Sequence, residues 1–226
     1  MKRLVFIVEG YSELEFIDKL VRPYFAEHYQ FYQIEAFCLQ TSTGNKGGFG
    51  KYKQLKDDIQ RIIRGGNTNV IVTTFLDFFR LPNSVPEYQK MLKESNIDKK
   101  ISILEDGFSK DIKSNKFIPY IQKHEFEALL FSDNCGFEEL YEKKIYTKTQ
   151  AIIESYPNPE EINNNPDTSP SKRLIRILNE YGDTYDKVTE GNLIAEDVGI
   201  NKMLEKCPRF KAWIETLVER VIEDKE

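Results

Sequence analysis

Three short apolar runs in this chain each end in acidic residues, and that arrangement narrows the fold more than any other feature. Residues 3–8 run into Glu9-Gly10, residues 69–76 run into Asp77, and a strand-like stretch near 116–121 leads into His124-Glu125-Phe126-Glu127. Short continuous apolar runs rich in β-branched residues read as strands. Strands without polar alternation are buried on both faces, as in parallel sheets. Packing gives little reason to put a histidine and carboxylates at the end of such a strand. Metal-dependent chemistry gives a good one, because hard cations take oxygen ligands.

Between the runs the pattern turns helical. Ser12 stands three residues before Glu15, the spacing of a capping box. Leu14, Ile17, Leu20, Val21 and Phe25 follow at helical spacing, which predicts a helix over 12–27. Residues 31–39 read as a second strand. Tyr52, Leu55, Ile59, Ile62 and Ile63 mark a second helix, closed by Gly65-Gly66-Asn67. Helices near 87–96 and 98–107 precede the fourth strand.

The resulting β-α-β-α-β-α-β order argues an α/β fold, a parallel sheet flanked by helices on both faces. Ligands of such sheets sit beyond the carboxyl ends of the strands, and Glu9, Asp77 and the 124–127 cluster all fall there. After about residue 132 strands give way to helices near 136–143, 147–154, 171–180, 199–205 and 208–223. A Pro/Asn-rich stretch, 156–170, separates two of them. This divides the chain into an α/β domain, 1–132, and a C-terminal helical extension, 133–226, packed on it.

The candidate site residues can each be read in more than one way. Glu9 either opens an ordinary βα loop or helps to hold a cation, with Gly10 letting the chain turn and phosphate approach. Asp77 precedes Phe78-Phe79-Arg80-Leu81-Pro82, a poor helix start, so helix capping explains it badly and metal ligation better. Glu125 and Glu127 share a face if the segment stays extended and diverge by roughly 200° if a helix begins at His124. His124 is either a ligand or base, or a histidine satisfied at a helix start. Glu13 either complements a helix N-terminus or joins the acidic site.

The loop 41–53 interleaves Gly44, Gly47, Gly48 and Gly50 with Lys46, Lys51 and Lys53. It is either a solvated loop or a wrap for phosphates. It lacks a Walker A Gly-Lys-Ser/Thr, so nucleoside triphosphate binding is not indicated. Lys172 and Arg173, with Arg176 one turn on, form a second basic patch or a solvated face. No nucleophilic triad is visible.

Composition sets the outer limits. With 32 basic and 37 acidic residues among 226, the net charge is -5, which excludes a basic nucleic-acid coat but not a local basic patch. Three widely spaced cysteines, Cys38, Cys135 and Cys207, read as reduced thiols of a cytosolic protein. Glu9 ends the first apolar run short of the roughly 7–15 residues of a signal-peptide core. No run approaches the ~18 needed to span a bilayer, so the cytoplasm is the expected location, with no membrane partner.

With these residues in hand, the chain resembles the domain-of-unknown-function 4276 family of bacterial toprim-like proteins. The resemblance is carried by residues 6–16 (Phe-Ile-Val-Glu-Gly-Tyr-Ser-Glu-Leu-Glu-Phe), 73–82 and 117–131. Ser171-Lys-Arg-Leu174, residues 191–196 and residues 207–213 add to it. It implies a toprim-like fold. Toprim domains of topoisomerases, primases and overcoming-lysogenization-defect nucleases use a glutamate after the first strand and Asp-x-Asp after the third.

By that likeness Glu9 is the acid/base or metal-linked glutamate and Asp77 the first aspartate. Phe79 stands where the second aspartate would be, so Glu127, or Glu125, is the expected replacement ligand. The implied activity is a Mg²⁺- or Mn²⁺-dependent nuclease of anti-phage defence. Its substrate would be DNA or RNA, and its partners an SMC-like AAA ATPase or a second copy in a homodimer. The alternative is a non-catalytic partner with a degenerate site that binds nucleic acid or the ATPase.

Overall fold

In the computed structural model, which describes residues 2–39, 49–65, 69–162 and 165–223, the apolar runs become the middle of a parallel sheet. Strand β1 is Arg3–Val8. It leads into helix α1 (Tyr11–Phe16), which continues through a π-helical stretch, Ile17–Val21, into α2 (Arg22–Tyr29). Strand β2 (Ile34–Cys38), helix α3 (Tyr52–Arg64) and strand β3 (Val70–Asp77) follow. Next come a 3-10 turn at Phe78–Arg80, the short α4 (Tyr88–Met91) and the long α5 (Ile97–Ile112). Strands β4 (Phe117–Ile118) and β5 (Ile121–Gln122) both pair with β3.

The strand order is β2-β1-β3-β4, all parallel, with β5 continuing beside β3. From β1 the chain crosses to one side to make β2 and then to the other side to make β3. That reversal leaves a crevice beyond the carboxyl ends of β1 and β3, the usual ligand position in open α/β sheets. Glu9 directly follows β1 and Asp77 ends β3.

Alternate side chains of the central strands feed two hydrophobic layers, as a period of two requires. Val5, Ile7, Val70, Val72 and Leu76 pack with Leu55, Ile59, Leu104 and Phe108 of α3 and α5. Leu4, Phe6, Val8, Ile71 and Phe75 face the other way, onto α1, the π stretch and α2. That second layer is completed by the C-terminal half: α6 (Glu127–Leu130), α7 (Cys135–Leu140), α8 (Lys143–Glu154), α9 (Pro170–Asn179), α10 (Thr189–Val198), α11 (Ile200–Lys206) and α12 (Pro208–Ile222). Trp213 of α12 stacks on Tyr120 at 4.1 Å between ring centres and donates to Thr73 Oγ1 at 2.8 Å. The helical extension therefore covers one face of the sheet and shares its core.

Several expectations change. The first helix starts at Tyr11, straight after Gly10, so Ser12 lies inside it and makes no capping hydrogen bond. The helix expected near 87–96 is one turn long, and α5 takes its length instead. The fourth strand is broken at Pro119, which has no N–H for the ladder. Thr74 bridges the break: its Oγ1 donates to the Tyr120 carbonyl at 3.0 Å and accepts the Tyr120 N–H at 2.9 Å. Helix α10 has no counterpart among the expected elements. Its Gly191-Asn192 pair weakens the helical signal in sequence, and packing on α1, α6 and α7 supplies what propensity lacks.

Candidate functional site

The crevice beyond β1 and β3 holds four buried carboxylates from three parts of the chain. Glu9 leaves the end of β1, Glu13 lies in the first turn of α1, Asp77 ends β3 and Glu127 opens α6. Backbone amides hold two of them. The Asp77 N–H donates to Glu9 Oε2 at 3.3 Å, and the Phe126 N–H donates to Asp77 Oδ1 at 2.9 Å. The turn after β5 is also tied to the turn after β3, by the Phe79 N–H donating to the His124 carbonyl at 3.2 Å. Gly10 contributes space: a Cβ there would stand 3.2 Å from Glu13 Oε2. Its φ of −151° is ordinary extended backbone, so close approach rather than a special turn explains the glycine.

Among the described residues, two cations face these acids. The Lys187 ammonium lies 3.2 Å from Glu13, 3.5 Å from Asp77 and 3.3 Å from Glu127. It also sits 5.9 Å from the centre of the Phe126 ring. Arg80, largely exposed at the end of the 3-10 turn, reaches within 4.0 Å of Glu9 Oε1. Lys187 escaped the sequence reading because it lies on the connection between α9 and α10, with no periodicity or motif to mark it. The nearest signal was residues 191–196, just downstream.

Burial dominates the titration of the site, because a carboxylate removed from water favours its neutral form. It pushes the Glu127 carboxyl up to about 7, with the Lys187 ammonium pulling the other way. Burial and the Glu13 charge raise Glu9, while burial raises Asp77 well above the usual range despite Lys187. Burial pulls the Lys187 ammonium down, but Asp77, Glu127 and Glu13 outweigh it and hold its pKa well above that of an ordinary lysine.

The remaining expected residues lie elsewhere or are otherwise engaged. Glu125 Oε1 accepts the Ser171 N–H at 2.6 Å, at the start of α9. His124 adopts a left-handed backbone, φ 67°, and its Nε2 pairs with the Glu160 carbonyl at 3.0 Å. Its ring packs on Phe79 at 5.2 Å, and burial with the neighbouring Lys123 charge lowers its pKa to about 4.

The Arg173 guanidinium donates to the Thr168 carbonyl at 2.8 Å and to the Tyr156 hydroxyl at 2.7 Å, which spends it on internal structure. Lys172 is exposed on a hollow it shares with Arg176, Asp167 and Glu180, where acids offset the bases. Lys51 and Lys53 are exposed, and Lys53 pairs with Asp57 at 2.6 Å. Lys46, with Gly44, Gly47 and Gly48, lies outside the described residues.

The donor set suits a hard divalent cation. Both Glu127 oxygens and Oε1 of Glu9 are buried without a hydrogen-bond partner, the state expected of oxygens meant for a ligand. The spacing does not yet suit one: among the described residues no three His, Cys, Asp or Glu side chains converge tightly enough to hold a metal ion. Where such an ion would sit, the acids surround an ammonium.

Comparison with known proteins adds a family and a structural likeness. A family model described as "Domain of unknown function (DUF4276)" matches residues 8–218. No curated protein matches the chain. Among solved structures, the chain is similar to the C-terminal region of the OLD protein of Xanthomonas campestris pv. campestris. The two are 17% identical with a TM-score of 0.44, over 99% of this chain and 95% of that one. Among the described residues no helix is long and apolar enough to cross a membrane.

Proposed function

The chain belongs to the DUF4276 family, and on that premise we propose that it is a toprim-like, metal-dependent phosphodiester hydrolase acting on nucleic acid. The observation that carries this reading is the meeting of Glu9, Glu13, Asp77 and Glu127 at the switch point of a parallel sheet, with buried carboxylate oxygens lacking donors. Glu9, Asp77 and Glu127 would hold Mg²⁺ or Mn²⁺. A bound divalent ion supplies charge neutralisation of the phosphate and a more acidic water.

The chain's own residues supply the rest. The Phe126 amide anchors Asp77 Oδ1, which leaves Oδ2 turned to the Lys187 ammonium. Arg80, exposed at the rim beside Glu9, is placed to meet a phosphate oxygen. Glu127, its carboxyl pushed up to about 7 by burial, suits proton transfer near pH 7, and burial with the Glu13 charge raises Glu9 in the same direction. The sequence resemblance extends the proposal to anti-phage defence beside an SMC-like AAA ATPase.

The test is cleavage of single- and double-stranded DNA and RNA by the full chain with Mg²⁺ or Mn²⁺. Each of Glu9→Gln, Asp77→Asn and Glu127→Gln should lose at least about 100-fold in rate. Absence of cleavage of every nucleic acid with either ion overturns the hydrolase reading. One observation favours the alternative of a non-catalytic binding partner: Lys187 already pairs with three of the acids. That alternative gains if neither ion binds and the three variants leave cellular toxicity intact.

A further inference from the structure

We infer that Lys187 occupies the cation position of the acidic site, and that a divalent ion binds there only by displacing its ammonium into solvent. The inference rests on the metal-dependent reading of the same site. Three carboxylates from α1, β3 and α6 approach Lys187 Nζ at 3.2–3.5 Å, the distances of ammonium ion pairs. A magnesium ion draws carboxylate oxygens to about 2.1 Å. Asp77 and Glu127, which the metal-dependent reading names as ligands with Glu9, would have to bring their free oxygens about 1 Å closer, into the volume the ammonium fills. The two occupants exclude each other sterically, and like charge keeps them apart.

The surroundings let the side chain move while its backbone stays. Asp186 Oδ1 accepts the N–H groups of Val188 and Thr189, both at 2.9 Å, which pins the chain to the start of α10. Tyr185 packs against Gly191, where an added Cβ would stand 2.7 Å from the Tyr185 hydroxyl oxygen. Between these anchors Lys187 has a four-carbon stem and a side chain 27% exposed, so an outward rotamer would carry the ammonium to water. The acids then trade one positive charge for two. The oxygens of Glu127 and Glu9, which accept no hydrogen bond although Lys187 pairs with Glu127 Oε2, gain a direct ligand.

Two measurements test this on the full-length protein. In the first, Mn²⁺ binding is followed by titration calorimetry for wild type and Lys187→Met; the variant should bind at least tenfold more tightly. In the second, wild-type Lys187 is labelled by reductive methylation and read by mass spectrometry. Its modification should be slow without metal and rise several-fold as Mn²⁺ saturates. This second readout needs no variant, so a poorly folded Lys187→Met leaves the inference testable. Mn²⁺ binding with equal or weaker affinity in Lys187→Met, or with unchanged Lys187 labelling, overturns the inference and leaves the metal-dependent reading standing. Failure of both proteins to bind Mn²⁺ removes the metal-dependent reading and the inference together.

Discussion

Lys187 Nζ stands 3.3 Å from Oε2 of Glu127, a residue 60 positions earlier in the chain, and neither Glu127 oxygen receives a hydrogen bond. The pair joins the loop before α10 to the first turn of α6. It is a buried ion pair with incomplete solvation, which makes it sensitive to proton concentration and to competing cations.

Glu127 should make the protein less stable as pH rises. Its carboxyl sits at about 7 in the folded chain against 4.5 in its ordinary state. The folded state therefore keeps a proton that the unfolded state has lost between these values, and stability falls as pH climbs from about 4.5 to 7. Glu9 and Asp77, also raised by burial, add the same sign. Glu127→Gln should shrink this slope, with a ceiling of about 3 kcal/mol across the window. Thermal melts from pH 4.5 to 8 would show it. An unchanged slope would place the proton elsewhere.

His124 should act in the opposite sense. Its pKa of about 4 lies below the ordinary 6.5 because the ring is buried beside Lys123. Unfolding then takes up a proton between these values, so stability is lost as pH falls from 6.5 through 4. Asparagine tolerates left-handed backbone, so His124→Asn should keep the turn and remove this acid sensitivity. His124→Val should cost about 1–3 kcal/mol more at pH 7, because a β-branched residue is strained at φ 67°. Urea unfolding at pH 7 and pH 5 separates the two effects.

The strands and their terminal acids were legible because strands buried on both faces leave an unbroken apolar signature, and a charge at its end stands out. Glu9, Asp77 and Glu127 therefore meet where the run ends put them. Lys187 was not legible: nothing local distinguishes a lysine in a turn from one that reaches across the fold to three acids. Glu13 allowed both a helix-start reading and a site reading, and the fold gives it both places: the first turn of α1 and a contact with Lys187. Arg173 was misleading for the converse reason. In sequence it sits in a basic patch, while in space Tyr156 and the Thr168 carbonyl take its donors.

Lys172 and Arg173 should therefore behave differently on substitution. Arg173→Ala removes two hydrogen bonds and the packing on Tyr156, 5.4 Å from ring centre to guanidinium, and should cost about 1–3 kcal/mol. Lys172→Ala, on the exposed face, should stay within about 0.5 kcal/mol. If nucleic acid lies along α9, only Lys172→Ala should lower the salt dependence of binding while leaving the melting temperature unchanged. Equal destabilisation by both would contradict the placement of Arg173.

Gly191 and Tyr185 should couple. Gly191→Ala puts a Cβ about 2.7 Å from the Tyr185 hydroxyl oxygen, too close to stand. That hydroxyl is buried with no hydrogen-bond partner, so Tyr185→Phe should be neutral or stabilising by up to about 1 kcal/mol. The double variant should recover much of the stability lost in Gly191→Ala. A double-mutant cycle that closes with no interaction energy would argue against this packing.

The ladder of β1 with β3 has one more consequence. Val8 is in register with Phe75, and Asp77 with Gln122 of β5. Glu9 and Asp77 are thus set one and two residues beyond a hydrogen-bonded pair, on backbone that cannot shift without breaking the sheet. Glu127 stands on a single helical turn and Lys187 on a tethered stem. The crevice has a wall of strand ends and, opposite it, one long and partly exposed side chain, so whatever enters is measured against the sheet and admitted, or refused, by the Lys187 ammonium.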